Sequence, residues 1–419
     1  MNRAIVFVLV TVLVDVIGLG IIIPVMPVLI QELTGEGLDR AAIYGGWLLF
    51  LYALLQFFFA PILGGLSDRF GRRPVLLLSL FAFGIDYALM GLAPSLGWLF
   101  LGRAIAGAAG ASVTTANAYI ADVTPAEKRA ANFGLIGAAW GVGFVIGPVL
   151  GGLLGELGPR VPFFASAALA LANVAYGFFV LPETLPPEKR RRFDWRRANP
   201  VGSLVRMASH PVLGSLIGVL VLYQIAHDAN PSTWSYYTME RFGWSERDVG
   251  LSLGVVGLSI SVVYGALVGP IVRRLGEQRT VVFGLLLMAT GFFGYSLATR
   301  SWMMIAFIFP FALGCVAMPA LRGMMANRVE ADEQGELQGA LTSLASLTAI
   351  GAPLLMTRLF GVFAADDAPI YFPGMAFFVA GALLVGASLW FLRARARLPA
   401  PVTPAADIVA EGAGPAATL

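Results

Sequence analysis

Long apolar runs alternate with short polar stretches along almost the whole chain. Most runs approach the roughly 20 residues that a bilayer-spanning helix needs. They predict twelve spans, at about 4–28, 43–65, 75–94, 97–121, 133–157, 161–182, 212–238, 248–272, 280–298, 302–326, 337–360 and 370–393. The runs lack the ten-residue alternation of a membrane barrel, so we predict helices and an all-α integral membrane fold.

Composition supports a membrane protein and excludes several other classes. Of 419 residues, 58% are hydrophobic and 13% are charged, whereas a soluble domain carries about 25% charged residues. The single cysteine, Cys315, excludes an internal disulfide, and the presence of only two histidines argues against a zinc site. We therefore predict no metal site and no cofactor. The sequence also lacks a phosphate-binding loop, which argues against ATP as the energy source.

Lysine and arginine residues define the predicted topology. They concentrate in one set of loops, including 69–73 and 189–206, while the other set holds Arg40, Arg160, Arg241, Arg247, Arg300 and Arg358. The basic loops mark the cytoplasmic side, so both termini are predicted there. The long charged connection suggests four parts: a first six-helix bundle at 1–182, a cytoplasmic linker at 183–211, a second bundle at 212–393 and a disordered cytoplasmic tail at 394–419.

The two halves of the chain repeat. The loop GGLSDRFGRR, from Gly64 to Arg73, matches GPIVRRLGEQ at an offset of 205 residues, and the same offset pairs Pro148 with Pro353. Duplicated six-span halves are the architecture of a transporter with a central site between two pseudo-symmetric bundles.

The repeated loop in the first half is a candidate gate. Gly71 permits a tight turn. Asp68 can pair with an arginine or accept hydrogen bonds from a helix N-terminus, which would make a latch that a conformational change breaks. The alternative is a plain basic anchor. The candidate gating residues of this loop are Gly64, Asp68, Arg69, Gly71, Arg72 and Arg73.

These motifs resemble those of the major facilitator superfamily. The loop is similar to the signature of that family, and VDVIGLGIIIPVMP, LFLGRAIAG and GFVIGPVLGG are similar to the first-, fourth- and fifth-span motifs of its drug/proton antiporters. DYALM, AYIAD and GPVLGG resemble tetracycline efflux proteins in particular. The resemblance implies the major facilitator fold.

In the fifth span, Gly143, Gly147, Gly151 and Gly155 recur at i+4 and form one smooth helical stripe. Such a stripe lets a neighbouring helix approach closely, and Pro148 can kink the helix. The resemblance implies a sealing or hinge role for Gly143, Gly147, Pro148 and Gly151. Generic close packing explains the same pattern.

Ionisable residues inside the first-half spans are candidates for coupling and binding. An Asp at the bilayer centre costs about 2.5–3.5 kcal/mol on insertion scales, so it usually faces the protein interior. The resemblance implies proton coupling for Asp15 and Arg103 and substrate contact for Gln56 and Asp86. The alternatives are a backbone cap at Asp15, structural hydrogen bonds at Gln56 and Asp86, and an Arg103 side chain that snorkels to the headgroups.

The seventh span carries a second group of candidates, YQIAHDANP. Gln224, His227 and Asp228 share a helical sector. His227 beside Asp228 is a candidate proton relay, because imidazole titrates near neutral pH. Asn230 with Pro231 predicts local unwinding. Tyr223, Gln224 and Asn230 are substrate candidates; the alternative is a hydrated structural group near the outer mouth.

Further candidates lie near the ends of two spans. Arg322, in the tenth span, either contacts an anionic substrate group or neutralises a span carboxylate, or else anchors the interface. Trp234, Tyr236 and Tyr237 either line the cavity or form an aromatic belt, and we favour the belt.

The pattern departs from tetracycline efflux proteins in the second half. Those proteins carry a His in the eighth span and an Asp in the ninth, whereas 248–272 contains no His and 280–298 no acidic residue. We hypothesise that His227 and Asp228 replace them.

The resulting prediction is a secondary transporter rather than an enzyme. It exports an amphiphilic drug, with tetracycline or its divalent-cation chelate as the leading candidate, in exchange for protons by rocker-switch alternating access. The expected partners are the drug, protons and lipid, not nucleic acid, and the protein is expected to function as a monomer in the bacterial inner membrane. A proton-coupled transporter of another small molecule, or a non-transporting receptor, is the alternative.

Overall fold

The structure, a computed structural model, describes residues 3–110, 112–124, 126–186, 188, 190, 213–329 and 334–395. Most of the predicted linker at 183–211, and the predicted tail from residue 396 onward, lie outside the described residues. Within the described part the chain is almost entirely helical and contains no strand, which confirms the all-α prediction.

The first bundle contains eight helices in the described residues. They are α1 (Arg3–Ile22), α2 (Met26–Thr34), α3 (Leu38–Phe70), α4 (Arg72–Leu92), α5 (Leu96–Ala109), α6 (Ser112–Val123), α7 (Ala126–Gly155) and α8 (Val161–Val180).

The second bundle contains nine α-helices in the described residues. They are α9 (Leu213–His227), α10 (Ala229–Phe242), α11 (Glu246–Val262), α12 (Val268–Leu275), α13 (Glu277–Leu297), α14 (Ser301–Gly314), α15 (Ala317–Ala326), α16 (Gln334–Ala364) and α17 (Met375–Arg395). A π-helical turn, Val263–Leu267, joins α11 to α12.

Four of the twelve predicted spans are broken helices. Span 1 is α1 with α2, span 4 is α5 with α6, span 7 is α9 with α10, and span 10 is α14 with α15. Pro24 lies in the first break and donates no backbone hydrogen bond. Ten helical stretches in the described residues are long and apolar enough to cross a membrane, and the pieces of spans 4 and 7 are individually too short.

The predicted repeat is present in the backbone. Helices α4 and α13 each contain 21 residues and begin 205 positions apart, at Arg72 and Glu277. The breaks repeat as well: Gly110 and Cys315 interrupt spans 4 and 10 at the same offset. Equivalent neighbours also pack alike, since α4 packs on α8 as α13 packs on α17. The two bundles are therefore pseudo-symmetric.

The bundles meet mainly along two helix pairs, α7 with α11 and α3 with α16, and α10 also packs on α3. We call the end of the molecule that carries Arg72 and Arg274 the basic end, and the other end the distal end. The distal seam consists of Val149 and Gly152 on α7 against Gly250 and Gly254 on α11. A Cβ added at Gly152 would lie 2.5 Å from the Glu246 carbonyl oxygen, so the two backbones touch there.

The same interface opens toward the basic end. At Gly141, an added Cβ would still lie 3.3 Å from the Ser261 hydroxyl. One turn further on each helix, Gly137 and Gly265 would meet no neighbouring atom within 4 Å. Along this helix pair the bundles are therefore in contact at the distal end and further apart at the basic end.

Candidate functional site

A buried ion pair joins the third and fourth spans. Asp86 on α4 is fully buried, and Arg103 on α5 is 5% exposed. The Arg103 Nε donates to Asp86 Oδ1 at 3.3 Å, and its Nη2 lies against Oδ2. Gly102 makes room, because a Cβ there would sit 2.6 Å from Asp86 Oδ1. Arg103 thus lies inside the bundle and does not snorkel to headgroups. The proton-transfer role of Arg103 and the substrate contact of Asp86 remain predictions.

Two tyrosine rings connect this pair to Asp15. The Arg103 guanidinium carbon lies 5.6 Å from the Tyr52 ring centroid and 6.0 Å from that of Tyr87. The half-buried Asp15 carboxylate acts electrostatically on both tyrosine hydroxyls. We call Asp15, Tyr52, Asp86, Tyr87 and Arg103 the polar cluster. It contains one partly accessible acid, Asp15, and an arginine, Arg103, whose charge a second acid, Asp86, already engages.

Gln56 extends the polar cluster to the break in the fourth span. Its Nε2 donates to the Tyr52 hydroxyl and to the Gly110 carbonyl, both at 3.0 Å. Gly110 ends α5, so its carbonyl lacks a helical partner and accepts a side-chain donor instead. The interhelical hydrogen bond expected as the alternative role is therefore present, and the substrate contact remains a prediction.

In the seventh span, the His227 imidazole lies between two aromatic rings. Its centroid is 5.9 Å from that of Tyr223 and 6.2 Å from that of Phe311, with nearly parallel planes. Asp228 lies between the end of α9 and the start of α10. Its backbone carbonyl accepts a hydrogen bond from Ser232 Oγ at 2.6 Å. Within the described residues, no hydrogen bond or ion pair joins the His227 and Asp228 side chains. The proton relay remains a prediction.

The other seventh-span candidates surround the same break. Gln224 is half-buried, and its backbone carbonyl accepts from the Asp228 amide at 3.0 Å. Asn230 is 4% exposed, and its Nδ2 has no hydrogen-bond partner among the residues described. The helix breaks at Asp228, two residues before Asn230, while Pro231 lies in the first turn of α10, where it costs no helical hydrogen bond.

A second polar group lies between spans 7, 8 and 10. The Tyr223 hydroxyl lies against the Cys315 thiol and the Tyr264 hydroxyl. Tyr264 projects from the π-helical turn and is 48% exposed. Arg322 on α15 is exposed and acts electrostatically on both tyrosines. The sequence analysis singled out Tyr223 and Arg322, but missed Tyr264, because a π-helical turn leaves no periodicity signal.

The predicted gate is an ion-pair network at the basic end. Arg72 Nη1 lies 2.5 Å from Asp68 Oδ1, and Arg72 Nε lies 3.1 Å from Asp122 Oδ2 on α6. Arg69 lies over the Phe70 ring at 5.0 Å, and the Gly64 carbonyl accepts from Ser67 Oγ at 2.8 Å. The latch geometry is present within the first bundle, and its gating role remains a prediction.

Glu183 completes this network and was missed from the sequence. Its carboxylate accepts from the backbone amides of Arg72 at 2.9 Å and Arg73 at 3.2 Å. It therefore caps the N-terminus of α4, where backbone N–H groups lack partners. Gly71 has φ 108°, and a Cβ there would collide with Glu183.

The fifth-span glycine stripe packs inside the first bundle. A Cβ at Gly147 would lie 2.8 Å from the Gly20 Cα, and one at Gly143 would lie 2.9 Å from the Val16 side chain. Gly151 meets the Ile21 backbone. The second bundle is contacted by Gly155 at the end of the stripe, which meets the Glu246 side chain, and by residues beside the stripe, such as the Pro148 carbonyl, which faces Gly250. The sealing role of the stripe remains a prediction.

The aromatic residues of α10 form core and not a belt. Trp234, Tyr236 and Tyr237 are 1%, 6% and 1% exposed. Trp234 Nε1 donates to Ser252 Oγ at 2.9 Å, and the Tyr237 hydroxyl donates to the Tyr295 carbonyl at 2.7 Å. The aromatic-belt interpretation was therefore wrong, because these polar atoms find partners inside the bundle.

The chain matches one family over nearly its whole length. The family model for the Major Facilitator Superfamily matches residues 8–268 and 216–416. The tetracycline resistance protein, class C, of Escherichia coli is 40% identical over 382 residues, covering 91% of this chain and 94% of that protein. The class G protein of Vibrio anguillarum is 40% identical over 351 residues, covering 83% and 87%.

The chain belongs to the major facilitator superfamily.

A solved structure agrees on the fold. The nucleoside transporter NupG superposes with a TM-score of 0.76 at 10% identity, covering 94% of this chain and 99% of that one. As a member of the major facilitator superfamily, the chain is a multi-pass membrane transporter of a small molecule and not an enzyme.

Proposed function

We propose that this transporter exports an amphiphilic drug in exchange for protons, with a tetracycline as the leading substrate. The similarity to tetracycline resistance proteins supports the substrate class. The observation that supports the coupling is the polar cluster, in which the half-buried Asp15 and the engaged Arg103 both act on Tyr52.

Competition for Asp15 supplies the exchange. The Arg103 charge is engaged by Asp86. A proton or a polar group of the drug can bind the Asp15 carboxylate, but not both at once. Protonation from one side releases the drug, and deprotonation on the other side resets the site. Asp228, with His227, is proposed as a secondary proton carrier.

Alternating access follows from the interface between the bundles. If the basic end faces the cytoplasm, as the distribution of arginine predicts, this conformation admits drug from the cytoplasm and is closed outward at the distal seam. Opening the distal seam while the basic end closes would move the substrate outward. The predicted cation chelate, monomeric function and inner-membrane location are part of the same proposal.

Reconstitution tests the proposal. Proteoliposomes with an acidic lumen are expected to accumulate tetracycline while the lumen becomes more alkaline, with and without added Mg²⁺ as a test of the chelate. Asp15→Asn is expected to lose accumulation driven by the gradient. Glu240→Gln is the control, since Glu240 is bound by the Tyr371 hydroxyl at 3.1 Å, outside the polar cluster. Drug and proton flux in the same direction would indicate symport, and no flux with any drug would leave a receptor.

A further inference from the structure

Two buried side chains of the sixth span bind the backbone of the first span on either side of Asp15. Ser166 Oγ on α8 is fully buried and donates to the Gly18 carbonyl on α1 at 3.0 Å. Asn173 is 4% exposed, and its Nδ2 donates to the Thr11 carbonyl at 3.0 Å. The two carbonyls lie four residues before and three residues after the acid. The hydrogen bonds therefore enclose the helical segment that carries it.

The two carbonyls are connected to Asp15 and to the polar cluster. In an α-helix, the carbonyl of Thr11 accepts the backbone amide four residues later, which is that of Asp15. Asn173 therefore binds the same carbonyl as the acid's own amide. At the other end of the segment, a Cβ on Gly18 would lie 3.5 Å from Tyr87 Cε2, so this turn packs against a ring of the polar cluster.

Packing alone does not explain a polar residue at position 173. Hydrogen bonds between helices do hold membrane spans together, but the Asn173 Oδ1 atom is also buried and has no hydrogen-bond partner among the described residues. An unpaired buried oxygen costs free energy. A position selected for stability alone would carry an apolar residue.

The second bundle has apolar residues at the equivalent positions. Helix α17 packs on α9 as α8 packs on α1, and the buried positions of α8 recur on α17 at an offset of 214 residues. The counterpart of Ser166 is Ala380. The counterpart of Asn173 is Ala387, and both alanines are fully buried. The residue 205 positions after the first-span acid is Leu220. The donors thus accompany the acid, and alanines replace them where the acid is replaced by leucine.

We propose that Ser166 and Asn173 are positioning residues for proton exchange at Asp15, because they hold the carboxylate in a fixed place relative to Tyr52 and Tyr87. The inference rests on the proposed function, in which Asp15 carries the proton. Proton transfer depends on distance and orientation far more steeply than the attraction between charges does. Loss of either hydrogen bond should therefore slow the exchange cycle more than it weakens drug binding.

Alanine variants test the positioning role, because alanine already occupies both equivalent positions of the second bundle. Proteoliposomes give the turnover of tetracycline exchanged against protons, and calorimetry gives tetracycline binding to the purified protein. Asn173→Ala should lower turnover about tenfold and Ser166→Ala about threefold, with the dissociation constant of tetracycline within about twofold of the wild type. Ser166→Cys keeps a weak donor and should fall between Ser166→Ala and the wild type.

The reactivity of Asp15 gives a second readout that needs no transport. Dicyclohexylcarbodiimide modifies protonated carboxyl groups in apolar surroundings, and mass spectrometry of the modified peptide gives the rate at Asp15. In both alanine variants this rate should rise at least about threefold, because a segment without its hydrogen bond opens more often. The rate at Glu240, which is bound by Tyr371 outside the polar cluster, is the internal reference and should not change.

Tyr237→Phe is the matched control. It removes a buried hydrogen bond of the same kind in the second bundle, from a side chain to the Tyr295 carbonyl of a neighbouring helix. The control should leave turnover and the labelling of Asp15 unchanged. Equal effects of Tyr237→Phe and Asn173→Ala would mean that only packing was lost, and the positioning role fails. It fails equally if tetracycline binding weakens in step with turnover, or if the labelling of Asp15 does not rise.

The failure of the proposed function gives a different pattern. A wild type that exchanges tetracycline for protons, with alanine variants that do so at the same rate, would overturn the positioning role alone. A wild type without exchange, with faster labelling of Asp15 in the alanine variants, would overturn the exporter and leave the hold of Ser166 and Asn173 on the acid.

Discussion

The two bundles share the same arrangement of helices but carry different side chains at equivalent positions. The positions 205 residues after Asp86 and Arg103 are Gly291 and Ile308. Where the first bundle buries an ion pair, the second packs α13 directly on α14, since a Cβ at Gly291 would lie 2.7 Å from the Phe311 backbone nitrogen. Equivalent positions therefore hold a buried ion pair in the first bundle and closely packed helices in the second.

The interior of the second bundle is aromatic. The Trp234 ring lies 5.0 Å from that of Tyr295, and Phe292 lies 5.2 Å from Phe311, both at steep angles. Edge-to-face pairs of this kind add about 0.5–1.5 kcal/mol each beyond the buried area. Under the proposed function, this difference predicts that proton coupling lies mainly in the first bundle and that the second bundle mainly packs against the substrate.

The largest effect is expected from a variant that breaks the buried ion pair of the first bundle. Asp86→Asn leaves the Arg103 guanidinium buried without a counter-charge, which costs about 3–5 kcal/mol. SDS-induced unfolding of the purified protein measures the loss. The double variant Asp86→Asn/Arg103→Met should recover most of it, because both charges are then gone. A single variant as stable as the wild type would show that water or lipid reaches the pair.

The next effect acts on the interface between the bundles. Gly152→Val would push a side chain into the Glu246 carbonyl and the Gly250 Cα, so the distal seam should open. A buried reporter, Ser235→Cys in a Cys315→Ser background, lies at this interface because Ser235 Oγ donates to the Ile23 carbonyl at 3.3 Å. Labelling by an impermeant maleimide should rise at least about tenfold.

Gly137→Val is the control for that experiment. Gly137 lies on the same face of α7 toward the basic end, where an added Cβ meets no neighbouring atom within 4 Å. Equal labelling in the two variants would mean that valine loosens α7 generally and that the distal seam is not what holds the bundles together.

The sequence predicted the number and grouping of the spans better than it predicted the contacts between side chains. Apolar runs and the 205-residue offset indicated twelve spans and two bundles, because span length is set by the bilayer and the duplication survives in glycines and prolines. They did not indicate that Arg103 pairs with Asp86, or that Glu183 caps α4, since these contacts join residues far apart in the chain. Local periodicity also carries no information on which face of α7 meets the other bundle.

A smaller effect probes the aromatic wall. Trp234→Phe keeps an aromatic ring at this position but removes the N–H that donates to Ser252 at 2.9 Å. The loss should be about 1 kcal/mol of unfolding free energy, with the ratio of protons to drug unchanged. Ser252→Ala should cost a similar amount, and the double variant little more, because one hydrogen bond is removed in each case. A changed proton ratio would place coupling in the second bundle after all.

The smallest effect is expected from Asp228→Asn, which tests whether the two bundles differ in proton coupling. Asp228 lies at a helix break, and within the described residues its side chain forms no ion pair, whereas Asp15 belongs to the polar cluster. Asp228→Asn should therefore slow uptake driven by the pH gradient about threefold, against the complete loss expected for Asp15→Asn. His227→Gln is the companion variant, since it removes the imidazole stacked between Tyr223 and Phe311. If Asp228→Asn alone abolishes drug accumulation while tetracycline still binds, the second bundle carries the proton, and the contrast between the halves is one of packing only.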